Sequence, residues 1–175
     1  DYCILNYEDK LTREFGENIK AQVLYFSSRR KLEKGIYLED GRIIYRNDKV
    51  IEICDVKDLN ILGLHNYENV MAAAAMALVY GIPADIVRKS VKAFKGVEHR
   101  IEYVTEKNGV AYYNDSKGTN PDAAIKGIQA MNRPTVLIGG GYDKDSVYTD
   151  WIRSFDGKVK RLILLGATKE KIASD

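Results

Sequence analysis

The longest apolar run in the chain, Val70 to Tyr80, is short and rich in alanine, and it narrows the possible folds more than any other segment. A membrane helix needs roughly 20 predominantly apolar residues, so this run is read as a helix of a globular core. Met71-Ala72-Ala73-Ala74-Ala75-Met76-Ala77-Leu78 combines high helix propensity with side chains small enough for close packing. The pattern predicts a helix over 66–80, N-capped by Asn66 and stopped by Gly81. Pro83 punctuates the start of a second helix over 84–94, in which Ile86, Val87, Val91 and Phe94 share one face.

The residues before this helix pair read differently. Residues 1–5, 21–27 and 49–56 are apolar and β-forming, with a short helix over 10–16 between the first two. Residues 35–46 alternate and break at Glu39-Asp40-Gly41-Arg42, a strong hairpin signal. The first sixty residues are therefore β-rich. After a boundary at Gly96-Val97-Glu98 a second α/β unit begins. Residues 101–105 and 110–114 form a hairpin around Asn108-Gly109, and 120–131 a helix with Pro121 in its first turn. Residues 134–138 read as a buried strand ending in Gly139-Gly140-Gly141, 146–155 as a helix, 159–165 as a strand, and 169 onward as a helix. Alternation of strand and helix, with glycines at strand ends, predicts a parallel Rossmann-like sheet of three or so strands. So thin a sheet, and a start without an initiator methionine, lead to the expectation that the chain is cut at both ends. Asp1-Tyr2-Cys3 also lacks the basic start and apolar core of a secretion signal.

Net charge is +2, with acids and bases interspersed, which argues against a dedicated nucleic-acid binder. The densest basic cluster, Arg29, Arg30, Lys31 and Lys34, reads as a solvated turn. Cys3 and Cys54 both sit in apolar runs and read as free buried thiols of a reducing cytosol, since two cysteines make no disulfide framework. With only His65 and His99 and no Cys-x-x-Cys, there is no metal-ligand pattern; nor is there a Walker-type phosphate loop or a clear Ser/His/Asp set.

Four segments can carry chemistry. In Leu64-His65-Asn66-Tyr67-Glu68-Asn69, the two asparagines lie on nearly one side of a first helical turn, where amides can cap the helix or read an adenine edge. In Glu98-His99-Arg100, the arginine offers a planar fork for phosphate or base stacking, and His99 reads better as a packed hinge residue. Tyr113-Asn114-Asp115-Ser116-Lys117-Gly118-Thr119-Asn120-Pro121-Asp122 lies between a strand end and a helix start, where α/β folds place ligands. An acid, two hydroxyls, a lysine and a glycine in consecutive positions, followed by a helix N-terminus, suit an anion. In Gly139-Gly140-Gly141-Tyr142-Asp143-Lys144, glycines permit close backbone approach and Lys144 can hold a carboxylate, although a glycine turn with a solvated lysine is common.

The order of these segments resembles the Mur ligase family. Gly63 to Asn69 before an alanine-rich helix is similar to the end of that family's central ATPase domain, and Glu98-His99-Arg100 to its junction with the C-terminal domain. The 113–120 loop and the Gly-Gly-Gly-Tyr-Asp-Lys strand end resemble the branch that adds D-glutamate; other Mur ligases and folylpolyglutamate synthase carry different residues at this loop. The resemblance spans essentially the whole chain, is specific from His65 to Lys144, and is weaker over the first sixty residues.

The resemblance implies an α/β fold: the C-terminal part of a central ATP-binding domain over 1–96, then a truncated Rossmann-like amino-acid-binding domain over 97–175. It implies a cytoplasmic, ATP-dependent, magnesium-requiring ligase of peptidoglycan synthesis, joining D-glutamate to UDP-N-acetylmuramoyl-L-alanine through an acyl phosphate. The intact enzyme would be a monomer, with no nucleic-acid or membrane partner. By the same resemblance Asn66 and Asn69 face the adenine of ATP, and Arg100 and Asp115 contact the nucleotide, Asp115 at the ribose hydroxyls. Lys117 is the catalytic cation near the transferred phosphate. Thr119 and Lys144 hold the D-glutamate carboxylates, with Ser116 and Asn120 as further substrate contacts. The family's phosphate loop, magnesium-binding glutamate and histidine, modified lysine and UDP-binding domain have no counterpart here, so the chain alone is expected to be inactive. Two other readings are a ligase of the same superfamily with a different amino acid, and a non-catalytic nucleotide-binding module. The latter requires a complete sheet and a closed pocket within these residues.

Overall fold

The computed structural model describes all of residues 1–175, which form two compact units, Asp1–Lys95 and Gly96–Asp175. In the first unit, strands β1 (Tyr2–Asn6), β2 (Gln22–Ser27), β3 (Gly35–Glu39), β4 (Arg42–Arg46) and β5 (Val50–Asp55) make one sheet in sequence order. Helix α1 (Lys10–Glu17) is the crossover that lets β1 and β2 run parallel. The β3–β4 hairpin turns at Asp40-Gly41, where the sequence predicts it, and β4–β5 is also antiparallel.

The parallel pairing of β2 with β3 was not foreseeable from pattern. Parallel neighbours usually need a crossover of a dozen or more residues, yet only residues 28–34 intervene, and only Phe26↔Ile36 and Ser27↔Tyr37 pair. Side chains hold this short reversal in place. The fully buried Ser27 hydroxyl donates to Glu8 Oε1 at 2.6 Å and accepts the N–H groups of Arg29 and Arg30, each at 3.1 Å. Arg30 closes a two-point bond on the Glu8 carboxylate, both contacts at 2.9 Å, and Leu32 is buried beneath the bend. The basic cluster is exposed as expected, but Arg30 is tied to Glu8, and Lys31 pairs with Glu39 at 2.9 Å.

Helices α2 (Leu64–Val79) and α3 (Ala84–Ala93) pack on one face of this sheet. Val70, Met71, Ala74 and Ala75 form the buried stripe of α2, against Leu24, Ile36, Ile43 and Ile53. On a second, smaller cluster Tyr37, Ile44 and Leu32 pack with Tyr7 and Tyr25. Both cysteines are free; Cys54 is buried and burial pushes its thiol up to about 11, whereas Cys3 is only half-buried.

In the second unit, β6 (Glu102–Lys107) and β7 (Val110–Asn114) form an antiparallel hairpin, a sheet of its own. Helix α4 (Pro121–Ala130) follows, then β8 (Thr135–Gly141), α5 (Thr149–Arg153), β9 (Val159–Gly166) and α6 (Lys169–Ser174). The parallel sheet therefore has two strands, β8 and β9, not the expected three or so. Nor is β8 buried, and it does not end at its glycines: it runs through Gly141 and alternates between half-buried and exposed. Val136, Ile138, Ile163 and Leu165 leave an open apolar face, while Trp151 packs on Gly139 on the other. At Gly140 a Cβ would lie 1.9 Å from the Leu165 carbonyl oxygen, so only glycine lets the strands approach there. Helix α5 is shorter than the predicted 146–155: it starts only at Thr149 and ends at Arg153, where the Ser154 hydroxyl donates to the Trp151 carbonyl.

Two outcomes are expected. Met71, with no exposed surface, is central to the first core, and Met71→Ala should lower the stability of that unit by about 2–5 kcal/mol in urea unfolding. For Glu8, burial pushes the carboxyl up, but bonds from Arg30 and Ser27 and the guanidinium charge outweigh it, holding the carboxyl below its usual 4.5. A depressed folded value stabilises above the unfolded value and is lost as pH falls through the folded one. Glu8→Gln should therefore destabilise at neutral pH, and the gap from the parent chain should close in denaturation curves taken progressively further below pH 4.5.

Candidate functional site

The first unit places its two asparagines at the start of α2. Gly63, at φ 95°, turns the chain into the helix three residues before the predicted cap, so Gly63 and not Asn66 is the N-cap. Asn66 lies inside the first turn, half-buried, and its amide donates back to the Leu62 carbonyl at 2.7 Å. Asn69, a turn further, is exposed. Between them Glu68 accepts a bond from the Ser28 hydroxyl. This end of α2 thus presents one amide already anchored on one side and one open to solvent.

The second unit gathers the remaining candidates more tightly. The 115–120 loop leaves the end of β7 and enters α4, whose N-cap is Asn120, its Oδ1 accepting the Ala123 N–H at 2.8 Å. Pro121 at the first helical position has no N–H to leave unpaired. The turn that precedes β6 packs against this loop. Lys117 N–H donates to the His99 carbonyl at 3.0 Å, and Ile101 N–H to Asp115 Oδ1 at 3.1 Å. Gly118 N–H closes back on the Asp115 carbonyl at 2.8 Å. His99 N–H donates to Glu102 Oε2 at 2.8 Å, and the His99 ring meets the Asn114 amide at 3.0 Å. His99 and Ile101 adopt φ of 65° and 47°, the left-handed region, which a β-branched residue enters only when its surroundings hold it there.

Arg100, Asp115, Ser116 and Lys117 are thereby brought into one turn-and-loop assembly: Arg100 and Asp115 half-buried, Ser116 and Lys117 exposed. Thr119 and Asn120 are exposed at the mouth of α4. Lys144 is also exposed but sits in the separate loop after β8, where Asp143 pairs with Lys171 at 3.2 Å. The second unit places an ammonium, two hydroxyls and the positive end of a helix on one loop, a set suited to a phosphoryl or carboxylate oxygen. His99, Glu102 and Asn114 are the parts that residue type alone did not assign; the signal available was an amide directly before the loop. Two surface clefts, one lined by Tyr7, Tyr25, Arg30 and Lys34 and one by Met131, Arg133, Asp156 and Lys158, contain none of these residues. No group of three or more His, Cys, Asp or Glu is placed to hold a metal ion.

Residues 99–175 match the family described as Mur ligase, glutamate ligase domain. Over 175 residues the chain is 59% identical to UDP-N-acetylmuramoylalanine--D-glutamate ligase of Lachnoclostridium phytofermentans, covering 99% of this chain and 38% of that protein. The chain belongs to the Mur ligase family. A relative of the same description from Clostridioides difficile is 43% identical over 172 residues, covering 98% of this chain and again 38% of its own length. The chain thus spans well under half the length of the Mur ligases it matches. Among solved structures, UDP-N-acetylmuramoylalanyl-D-glutamyl-2,6-diaminopimelate--D-alanyl-D-alanyl ligase from Acinetobacter baumannii superposes with a TM-score of 0.70 at 19% identity, over 99% of this chain and 39% of that one. Folylpolyglutamate synthase from Thermotoga maritima gives 0.57 at 22% identity, over 90% and 38%. At those identities the structures establish the Mur ligase α/β fold and nothing finer.

The capping geometry of Asn120 has a measurable consequence. Asn120→Ala should weaken α4 by about 1 kcal/mol, read as faster amide exchange in its first turn.

Proposed function

We propose that this chain supplies the nucleotide- and amino-acid-facing parts of a cytoplasmic ATP-dependent ligase that joins D-glutamate to UDP-N-acetylmuramoyl-L-alanine in peptidoglycan synthesis. The observation that carries the reading is the 115–120 loop, with Lys117 exposed directly before a capped helix start. The relatives at 59% and 43% identity that bear this activity in their names support the choice of substrate.

In this reading the precursor's terminal carboxylate attacks the γ-phosphorus of ATP, giving an acyl phosphate and ADP. The amine of D-glutamate then attacks the acyl carbon, and the tetrahedral intermediate expels inorganic phosphate to leave the amide. Negative charge develops first on phosphoryl and then on carbonyl oxygens, so fixed donors and cations are the effective catalytic tools. Lys117 provides such a cation. Asp115, whose Oδ1 accepts the Ile101 N–H, would contact the ribose hydroxyls, and Arg100, one residue before Ile101, would contact the nucleotide. Asn66 and Asn69 would meet the adenine edge; Thr119 and Lys144 would bind the carboxylates of D-glutamate, with Ser116 and Asn120 adjoining them. Magnesium, which such a reaction uses, would take its protein ligands from outside these residues.

The reading of a self-contained binding module asks for a complete sheet. The open apolar face of β8 and β9, with Ile138 at 65% exposure, speaks against it.

The test is phosphate release by the intact parent ligase, supplied with ATP, UDP-N-acetylmuramoyl-L-alanine and D-glutamate. Release should require all three, and Lys117→Ala should reduce it by about a hundredfold or more. Release indifferent to D-glutamate, or supported equally by another amino acid, would sink the proposed specificity.

A further inference from the structure

We propose that Asn114 is a positioning residue: it fixes the proton of His99 on one ring nitrogen and so holds the 97–101 turn against the Asp115–Lys117 loop. The importance given to that loop rests on the ligase reading above; the geometry of the proposal does not.

The Ser116 N–H can only donate, and it lies 3.1 Å from the Asn114 side-chain oxygen, which orients the amide. The other end of the amide, Nδ2, can also only donate, and it faces His99 Nδ1 at 3.0 Å. Nδ1 must therefore accept, and the neutral imidazole carries its proton on Nε2, the nitrogen 3.6 Å from Glu98 Oε1. The reversed amide would set two donors against each other at Ser116 and is excluded by that contact. Glu102 Oε2, which accepts the His99 N–H at 2.8 Å, lies 3.3 Å from Nδ1, farther than the Asn114 amide nitrogen at 3.0 Å, so the shorter contact sets the role of Nδ1. One amide thus bonds the loop at Ser116 with its oxygen and the turn at His99 with its nitrogen.

That bridge matters because the turn is not self-supporting. His99 and Ile101 are left-handed at φ 65° and 47°, conformations that cost free energy unless neighbouring bonds impose them. The His99 carbonyl receives the Lys117 N–H, and the Ile101 N–H binds the Asp115 carboxylate. Holding the imidazole in place therefore holds the backbone of the residue that carries the ammonium and orients the carboxylate two positions earlier. A plain turn-forming role for Asn114 would need only its oxygen at Ser116, and an aspartate would serve there equally well. The two roles separate on the nitrogen.

Asn114→Asp keeps the oxygen and the size but replaces the donor toward His99 with an acceptor. In the 175-residue chain, nitrogen-15 NMR of the histidine side chains should find the wild-type His99 proton on Nε2 and, in the variant, a proton on Nδ1. Exchange of the Lys117 amide should rise about tenfold, as expected for weakening of a local hydrogen-bonded unit. In the intact parent ligase, kcat/KM for D-glutamate-dependent phosphate release should fall about tenfold as well. An unchanged His99 tautomer in the variant overturns the proposal. So does a switched tautomer with unchanged Lys117 exchange, since the ring would then not be holding the loop. Failure of the wild-type parent to ligate D-glutamate would instead remove the ligase reading, and the two NMR readouts would still decide the role of Asn114.

Discussion

The second unit is organised by a backbone that its own dihedral preferences oppose. Two left-handed residues, one of them β-branched, stand directly before β6, and each is held by a bond to the loop that follows β7. The hairpin between them makes this possible. Residues 99–101 and 114–117 are distant along the chain, and the antiparallel pairing of Glu102 with Asn114 sets them side by side. From that apposition follow the direction of Asp115, the anchoring of Lys117 at its backbone and the entry of the chain into α4. The start of α4, the positive end of its dipole, then lies on the same loop as the lysine.

The first unit reaches order by a different route. Its sheet is buried on one face by two helices and on the other by an aromatic cluster. Its one irregular connection, between β2 and β3, is held by Ser27, Glu8 and Arg30 and not by a covering helix. The carboxylate there is only 9% exposed in its side chain, yet it stays charged because the Ser27 hydroxyl and the Arg30 guanidinium converge on it. Buried polar groups of this kind specify a single geometry only when all their partners are present.

Much of this could be read from residue order because turns and caps demand particular residue types. Asp40-Gly41 and Asn108-Gly109 locate both hairpins, and Asn120-Pro121 the start of α4. The start of α2 was misplaced by a few residues because Asn66 is as good a capping residue as any, while the positive φ that lets Gly63 take the role leaves no trace in its neighbours. The parallel pairing of β2 and β3 escaped for a related reason. An apolar run announces a strand but not its partner, and the bonds that replace the crossover join residues some twenty positions apart. For the candidate site, residue types on the 115–120 loop were legible because they are unusual together. The support from His99, Glu102 and Asn114 was not, because a bond between a ring and an amide depends on register across a hairpin.

If Asn66 and Asn69 meet the adenine edge as proposed, the buried stripe of α2 bears on how that recognition could drift. Ala74 and Ala75 have almost no exposed surface and sit where the helix meets the sheet, so their methyl groups set the separation of the two. The same helix carries Asn66 and Asn69 in its first turns. A helix is stiff along its axis, and a core at crystal-like density does not absorb an added methylene in place. Enlarging either alanine would lift the whole rod, amides included, so selectivity among nucleobases would depend on side-chain volume at positions that no base could touch.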